Sequence, residues 1–93
     1  PRFPASVRDL SLVCDADVSN GEISGIISKN AKHLENVRLF DIYTGEQIPE
    51  GKKSLSYKLT FRKADGTLTD EECDKAVGKI INALSEKNIT LRT

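Results

Sequence analysis

The sequence predicts an α+β domain in which two helices cover one face of a four-stranded antiparallel sheet. Three observations support this fold class: apolar residues alternate with period 2 in several segments, two capped segments have helical periodicity, and the segments follow the order β-α-β-β-α-β. A chain of 93 residues suits one domain with one core. We therefore treat residues 1–93 as a single domain. Because the chain opens at Pro1 rather than at a methionine, we expect it to be cut from a longer chain.

The first strand and the first helix are defined by local patterns. Residues 7–14 form the predicted strand, whose apolar face carries Leu10, Leu12 and Cys14. Ser19 is a natural N-cap, and Glu22 three residues later completes a capping box, so a helix is expected to begin there. The helical stripe that follows consists of Ile23, Ile26, Ile27 and Ala31.

The two central strands differ in how regular their patterns are. In the second strand, residues 36–43, apolar residues fall on both faces, which predicts a bulge or a strand covered on both sides at one end. In the third strand the alternation is regular over residues 54–62. Its predicted core face carries Leu55, Tyr57, Leu59 and Phe61, and its other face carries Ser54, Ser56, Lys58, Thr60 and Arg62.

The second helix and a short last strand complete the pattern. Thr69 and Glu72 form a second capping box, and three acidic residues in the first turn suit the helix dipole. The apolar stripe of this helix is Cys73, Ala76, Val77, Ile80, Ile81 and Leu84. Residues 89–92 are short enough for an edge strand. The element order is that of the split βαβ, or ferredoxin-like, arrangement.

Composition limits the classes of function. Lys and Arg number 14, as do Asp and Glu, so the formal net charge is zero and strong sequence-blind binding to nucleic acid is not expected. No apolar run is as long as a membrane span. Cys14 and Cys73 lie far apart without a CxxC spacing, and we interpret them as buried small hydrophobes in a reducing cytosol.

The open face of the sheet is the candidate site. If Leu55 and Phe61 face the helices, Ser54 lies on the open face, and the same parity places Asp41 and Tyr43 there, opposite to Phe40 and Ile42. Tyr43 can stack on an unpaired base, Asp41 can accept hydrogen bonds from base N–H groups, and Ser54 can hydrogen-bond without obstruction. The alternative is a merely solvated polar face.

Other constellations have structural interpretations. His33 is the single histidine and is expected at the end of the first helix, where an imidazolium suits the helix dipole. The acidic cluster around Asp70 is explained by helix capping, and neither cysteine has metal-ligand neighbours in the sequence. We therefore expect no catalytic residue, no metal site and no cofactor in this chain.

Four motifs, in order, resemble a known family. They are RFPASVRDL at residues 2–10, LFDIYTG at residues 39–45, PEGKKSLS at residues 49–56, and LTFR followed by TLTDEE at residues 59–62 and 67–72. Together they cover essentially the whole chain, and their combination resembles the ferredoxin-fold anticodon-binding domain at the C-terminal end of the β subunit of bacterial phenylalanine–tRNA ligase.

The resemblance implies a function and a set of contacts. It implies that the open face binds the anticodon stem-loop of tRNA(Phe) in the cytoplasm, while aminoacylation takes place on the α subunit. It also implies a parent enzyme that is an (αβ)2 heterotetramer using ATP, Mg2+ and phenylalanine. The family contacts correspond to Asp41, Tyr43 and Ser54, and, in a less diagnostic region, to Arg92.

Two other functions fit the same fold. A regulatory or oligomerisation domain could bind a small molecule or a partner's edge strand beside the short last strand. A small acyl-phosphate hydrolase would need a phosphate-cradling loop after the first strand, and residues 15–19 contain no glycine for it.

Overall fold

The computed structural model describes residues 3–92 and confirms the predicted order of elements. Pro1 and Arg2, at which the predicted opening motif starts, lie outside the described residues. The elements in chain order are β1 (Ser6–Asp15), α1 (Asn20–Asn30), β2 (Leu34–Tyr43), β3 (Lys52–Phe61), α2 (Asp70–Ser85) and β4 (Thr90–Leu91). The strands β2 and β3 begin two residues earlier than their patterns indicated.

The strands form one antiparallel sheet in the order β2-β3-β1-β4. The two long central strands pair over their whole length, from Ser6 opposite Phe61 to Asp15 opposite Lys52. The last strand is short and pairs with β1 through Thr90 and Leu91. This topology is the predicted ferredoxin-like arrangement, with β2 and β4 at the two edges.

The core lies between the helices and one face of the sheet. Leu55, Tyr57, Leu59 and Phe61 form one buried cluster with residues of both helices, among them Ile23, Ile27, Ile80 and Leu84. The side chain of Tyr57 reaches the start of α1, where its hydroxyl donates to Asn20 Oδ1 at 2.7 Å. Burial raises the pKa of the Tyr57 phenol. The predicted core face of β3 is confirmed.

Both helices begin at the predicted caps, but only α2 has the complete capping box. The Ser19 and Thr69 hydroxyls accept from the backbone N–H groups of Glu22 and Glu72, each at 3.1 Å. The Glu72 carboxylate returns a bond by accepting from the Thr69 backbone N–H at 3.0 Å. Within residues 3–92, Glu22 makes no such return bond, so the full box predicted for α1 is wrong.

A bulge in β2 explains the irregular apolar pattern of that strand. The pairing passes from Leu39 opposite Tyr57 to Asp41 opposite Ser56, so Phe40 is an extra residue without a partner on β3. The Phe40 ring lies 5.8 Å from Nζ of Lys58, a residue on the open face. The prediction that Phe40 lies on the helix side of the sheet is therefore wrong, because the bulge turns its ring away from the helices.

Candidate nucleic-acid interface

The strand register brings the predicted open-face residues together at one end of the sheet. Tyr43 is directly opposite Ser54, and Asp41 is directly opposite Ser56. Directly paired residues in adjacent strands project on the same side of a sheet, and Ser54 alternates with the core residue Leu55. Asp41, Tyr43 and Ser54 therefore share the face that the helices leave open, as the sequence predicted.

Arg92 reaches the same end of this face from the opposite edge of the sheet. Its guanidinium carbon lies 5.0 Å from the centroid of the Tyr43 ring, and its Nη2 donates to Gln47 Oε1 at 3.4 Å. The backbone N–H of Arg92 donates to the carbonyl of Ser11 at 3.0 Å, which extends the pairing of β4 by one residue. A contact within about 6 Å is a cation–π interaction, worth about 0.5–1 kcal/mol at an exposed site.

The pair of Arg92 and Tyr43 spans the open face. Their strands, β4 and β2, are separated by β1 and β3, which corresponds to about 14 Å at an interstrand spacing of about 4.8 Å. The two long side chains must therefore extend towards each other over the central strands. Ser54 lies on β3 beside Tyr43, with Val13 of β1 on its other side, and so lies beneath this contact.

Ser54 is buried, contrary to the expectation that its hydroxyl is unobstructed. Its relative exposure is 1%, and its Oγ has no hydrogen-bond partner among the described residues. Ser56, two residues along the same strand, differs in this respect because its Oγ is hydrogen-bonded to Ser11 Oγ at 2.8 Å. A buried hydroxyl without a partner costs about 1–3 kcal/mol, so Ser54 is a destabilising polar group in this arrangement.

Gly45 supports the position of the Tyr43 ring. Its φ of +139° lies in a region that L side chains rarely adopt, and a Cβ at this position would lie 3.0 Å from the Tyr43 hydroxyl oxygen. The Tyr43 hydroxyl thus lies close to the turn that follows β2. The glycine of the LFDIYTG motif is explained by both the backbone conformation and this close approach.

Phe40 and Lys58 form a second feature of the open face, of which the sequence predicted Lys58 but not Phe40. The Phe40 side chain is 48% exposed, more than the 37% of Tyr43. Lys58 lies over the ring and also pairs with Asp9, with Nζ 3.6 Å from Oδ1. The sequence LFDIY is compatible with Phe40 on either face of the sheet. The position of the bulge therefore follows only from the register of β2 against β3.

The charges of the open face leave a small basic excess. Among the paired strand positions of this face, four residues are basic (Arg38, Lys52, Lys58 and Arg92) and three are acidic (Asp9, Asp15 and Asp41). Two ion pairs, Lys52–Asp15 at 2.6 Å and Lys58–Asp9, neutralise part of this set. Arg38 is exposed and has no ion pair within the part of the chain that the structure describes. The face therefore offers few phosphate contacts, which matches the zero net charge of the chain.

The remaining candidate residues lie away from this face or are buried. His33 lies three residues beyond the end of α1, with φ 64°, and Lys29 is the basic residue in the last turn of the helix. Cys14 and Cys73 are free and buried, and burial raises the pKa of the Cys14 thiol.

Residues 3–92 contain no cluster of three potential metal ligands. Neither described helix has the length and apolar character needed to cross a membrane.

Comparison with known proteins assigns this architecture to a family. The model of the ferredoxin-fold anticodon binding domain matches residues 1–92, and the chain belongs to that family. The chain is 48% identical to the phenylalanine–tRNA ligase β subunit of Clostridium tetani and 47% identical to that of Lactococcus lactis, over 96% and 94% of its own length. It is 43% identical over its full length to the corresponding subunit of Symbiobacterium thermophilum.

These alignments cover a small part of each relative. The chain spans 11% of the Clostridium tetani and Lactococcus lactis subunits and 10% of the Symbiobacterium thermophilum subunit. The resemblance seen in the four motifs is thereby confirmed for the domain itself.

Proposed function

We propose that this chain is the tRNA-binding module of a phenylalanine–tRNA ligase β subunit, and that its open sheet face binds the unpaired anticodon of tRNA(Phe). One observation carries the proposal: the register and the Arg92–Tyr43 contact bring Asp41, Tyr43, Ser54 and Arg92 to one end of that face. An aromatic ring beside a carboxylate, a hydroxyl and a guanidinium provides stacking and hydrogen-bonding groups for a single base.

Each residue has a distinct role in the proposal. Tyr43 stacks on the base, and Asp41 accepts hydrogen bonds from its N–H groups. Arg92 exchanges its contact with Tyr43 for a contact with a base or a phosphate, which uncovers Ser54. The Ser54 hydroxyl, which has no partner among residues 3–92, then has a hydrogen-bond partner on the base.

The proposal extends to the parent protein. This fragment positions tRNA(Phe) and performs no chemistry, while aminoacylation with ATP and Mg2+ takes place on the α subunit of a cytoplasmic (αβ)2 enzyme. The relatives that carry the name of the β subunit support this assignment, and the chain covers only about a tenth of their length.

The test is the affinity of the domain for a phenylalanine anticodon stem-loop, measured by fluorescence anisotropy against a stem-loop with a scrambled loop. Tyr43→Ala should weaken binding of the cognate loop by about 1–3 kcal/mol, the usual contribution of one base stack. Ile42→Ala is the matched control, because Ile42 is exposed on the same strand but is paired with the core residue Leu55 and so belongs to the other face. Equal affinities for both loops, or equal effects of the two substitutions, would remove the open face from anticodon recognition.

A further inference from the structure

We propose that Phe40, with Lys58 and Arg38, forms a second nucleotide subsite on the open face, which takes the unpaired nucleotide next to the one bound at Tyr43. The inference rests on the proposed RNA-binding function and adds a site to it. In this subsite the Phe40 ring stacks on a base, and the two cations contact the adjoining phosphate.

The exposure of Phe40 is the first reason for this assignment. The ring stands at a bulge, is 48% exposed, and faces the side of the sheet that carries Tyr43 rather than the core. Bulges re-aim individual side chains, and an exposed aromatic ring contributes little to the stability of the domain that carries it. Nζ of Lys58 lies over the ring, 5.8 Å from its centroid, and so places a positive charge beside the face on which a base would stack.

The spacing of the two rings is the second reason. The pairing partners of Asp41 and Tyr43 are Ser56 and Ser54, two residues apart, which is about 7 Å along the strand. Phe40 lies one residue before Asp41, at the bulge, so the origins of the two aromatic side chains are about 7–10 Å apart along the strand. This is about two to three times the stacking distance of 3.4 Å within a nucleic-acid strand. Two consecutive nucleotides that are splayed apart can therefore each occupy one ring.

The cations are the third reason. Arg38 and Lys58 are directly opposite each other and lie on the open face, next to the bulge. Arg38 is exposed and has no ion-pair partner within residues 3–92, so its charge is available to a phosphate. On a face with few other unpaired cations, this position is where the backbone of a second nucleotide would be held.

The experiment compares Phe40→Ala, Phe40→Tyr and Ile42→Ala for binding of the cognate anticodon stem-loop. Phe40→Ala should weaken binding about 5- to 150-fold, and Phe40→Tyr should retain the wild-type affinity, because stacking needs only an aromatic face. Ile42→Ala removes a more exposed apolar side chain from the other face and should leave binding unchanged. Arg38→Gln should reduce the slope of log K against log salt by about 0.7, the contribution of one phosphate contact to a single strand.

A double-mutant cycle locates the nucleotide. Stem-loops with a single abasic unpaired position are titrated with the wild type, Tyr43→Ala and Phe40→Ala. Phe40→Ala should cause no further loss of affinity for the stem-loop that already lacks the base bound at Phe40. The abasic position in that stem-loop should be adjacent to the one at which Tyr43→Ala causes no further loss. If Tyr43→Ala weakens binding but Phe40→Ala does not, or if Ile42→Ala weakens it equally, the second subsite is wrong while the proposed function stands. If neither aromatic substitution weakens binding, the proposed function itself fails.

Discussion

Replacing the buried Ser54 with alanine should stabilise the free domain and weaken its binding to RNA. The same replacement at Ser56 is the matched control, since both serines lie on β3 and on the same face of the sheet. They differ in that Ser56 Oγ is hydrogen-bonded to Ser11 Oγ, whereas Ser54 Oγ has no partner in the described part of the chain.

The expected changes in the free energy of unfolding have opposite signs. A buried hydroxyl without a partner costs about 1–3 kcal/mol, and the loss of one oxygen atom leaves only a small void. Ser54→Ala should therefore raise the free energy of unfolding by about 1 kcal/mol. Ser56→Ala breaks a hydrogen bond and leaves the Ser11 hydroxyl without its partner, so it should lose about 1 kcal/mol. For a domain of 93 residues, 1 kcal/mol corresponds to a shift in Tm of about 4–8 °C.

Urea unfolding and RNA titration together give the assay. The m values should match that of the wild type, so that a change in midpoint reports stability alone. In the RNA titration, Ser54→Ala should weaken binding of the cognate stem-loop by about 1 kcal/mol, because one hydrogen bond to the base is lost. If Ser54→Ala destabilises the domain as Ser56→Ala does, the Ser54 hydroxyl is satisfied in the free protein and the reasoning from its burial is refuted.

Two further predictions concern the Gly45 turn and the α2 capping box. Gly45→Ala and Gly51→Ala should both lower stability by about 1–2 kcal/mol because both glycines have positive φ. Only Gly45→Ala should also reduce RNA affinity, because its Cβ would meet the Tyr43 hydroxyl, whereas a Cβ at Gly51 would meet no atom within 4 Å. Equal RNA affinities of the two variants would contradict this role of the turn. The Thr69 backbone N–H and then the Lys63 ammonium lower the pKa of Glu72 below the ordinary value of 4.5. The ionised carboxylate therefore stabilises the fold above pH 4.5 and loses this effect as the pH falls through the lowered pKa. The stability difference between the wild type and Glu72→Gln should thus shrink between pH 7 and pH 3 in urea titrations, and a constant difference would contradict the contribution of the charge.

Much of the fold followed from patterns that depend on neighbouring residues only. The period-2 alternation of β3 and the N-caps Ser19 and Thr69 could be interpreted from the sequence because strands and helix ends are specified locally. The prediction that Asp41 and Tyr43 lie on the open face was also correct, because both residues follow the bulge and alternate regularly from there.

The errors arose where the outcome depends on packing between distant segments. Ser54 is polar and alternates with core residues, yet it is buried on the face where Arg92, 38 positions later in the sequence, meets Tyr43. Phe40 was assigned to the helix side because the sequence indicated a bulge without giving its position. His33 was expected at the end of α1, whereas the helix ends at Asn30 and the chain turns through a left-handed conformation at His33.

The most direct test of the central claim is a chemical-shift titration of the labelled domain with a phenylalanine anticodon stem-loop and with a scrambled-loop control. We predict shifts confined to the open face, at Asp41, Tyr43, Ser54, Arg92 and Phe40, with the cognate loop and much smaller ones with the control. Shifts on the helix side, or the same shifts with both loops, would contradict the claim that this face recognises an anticodon.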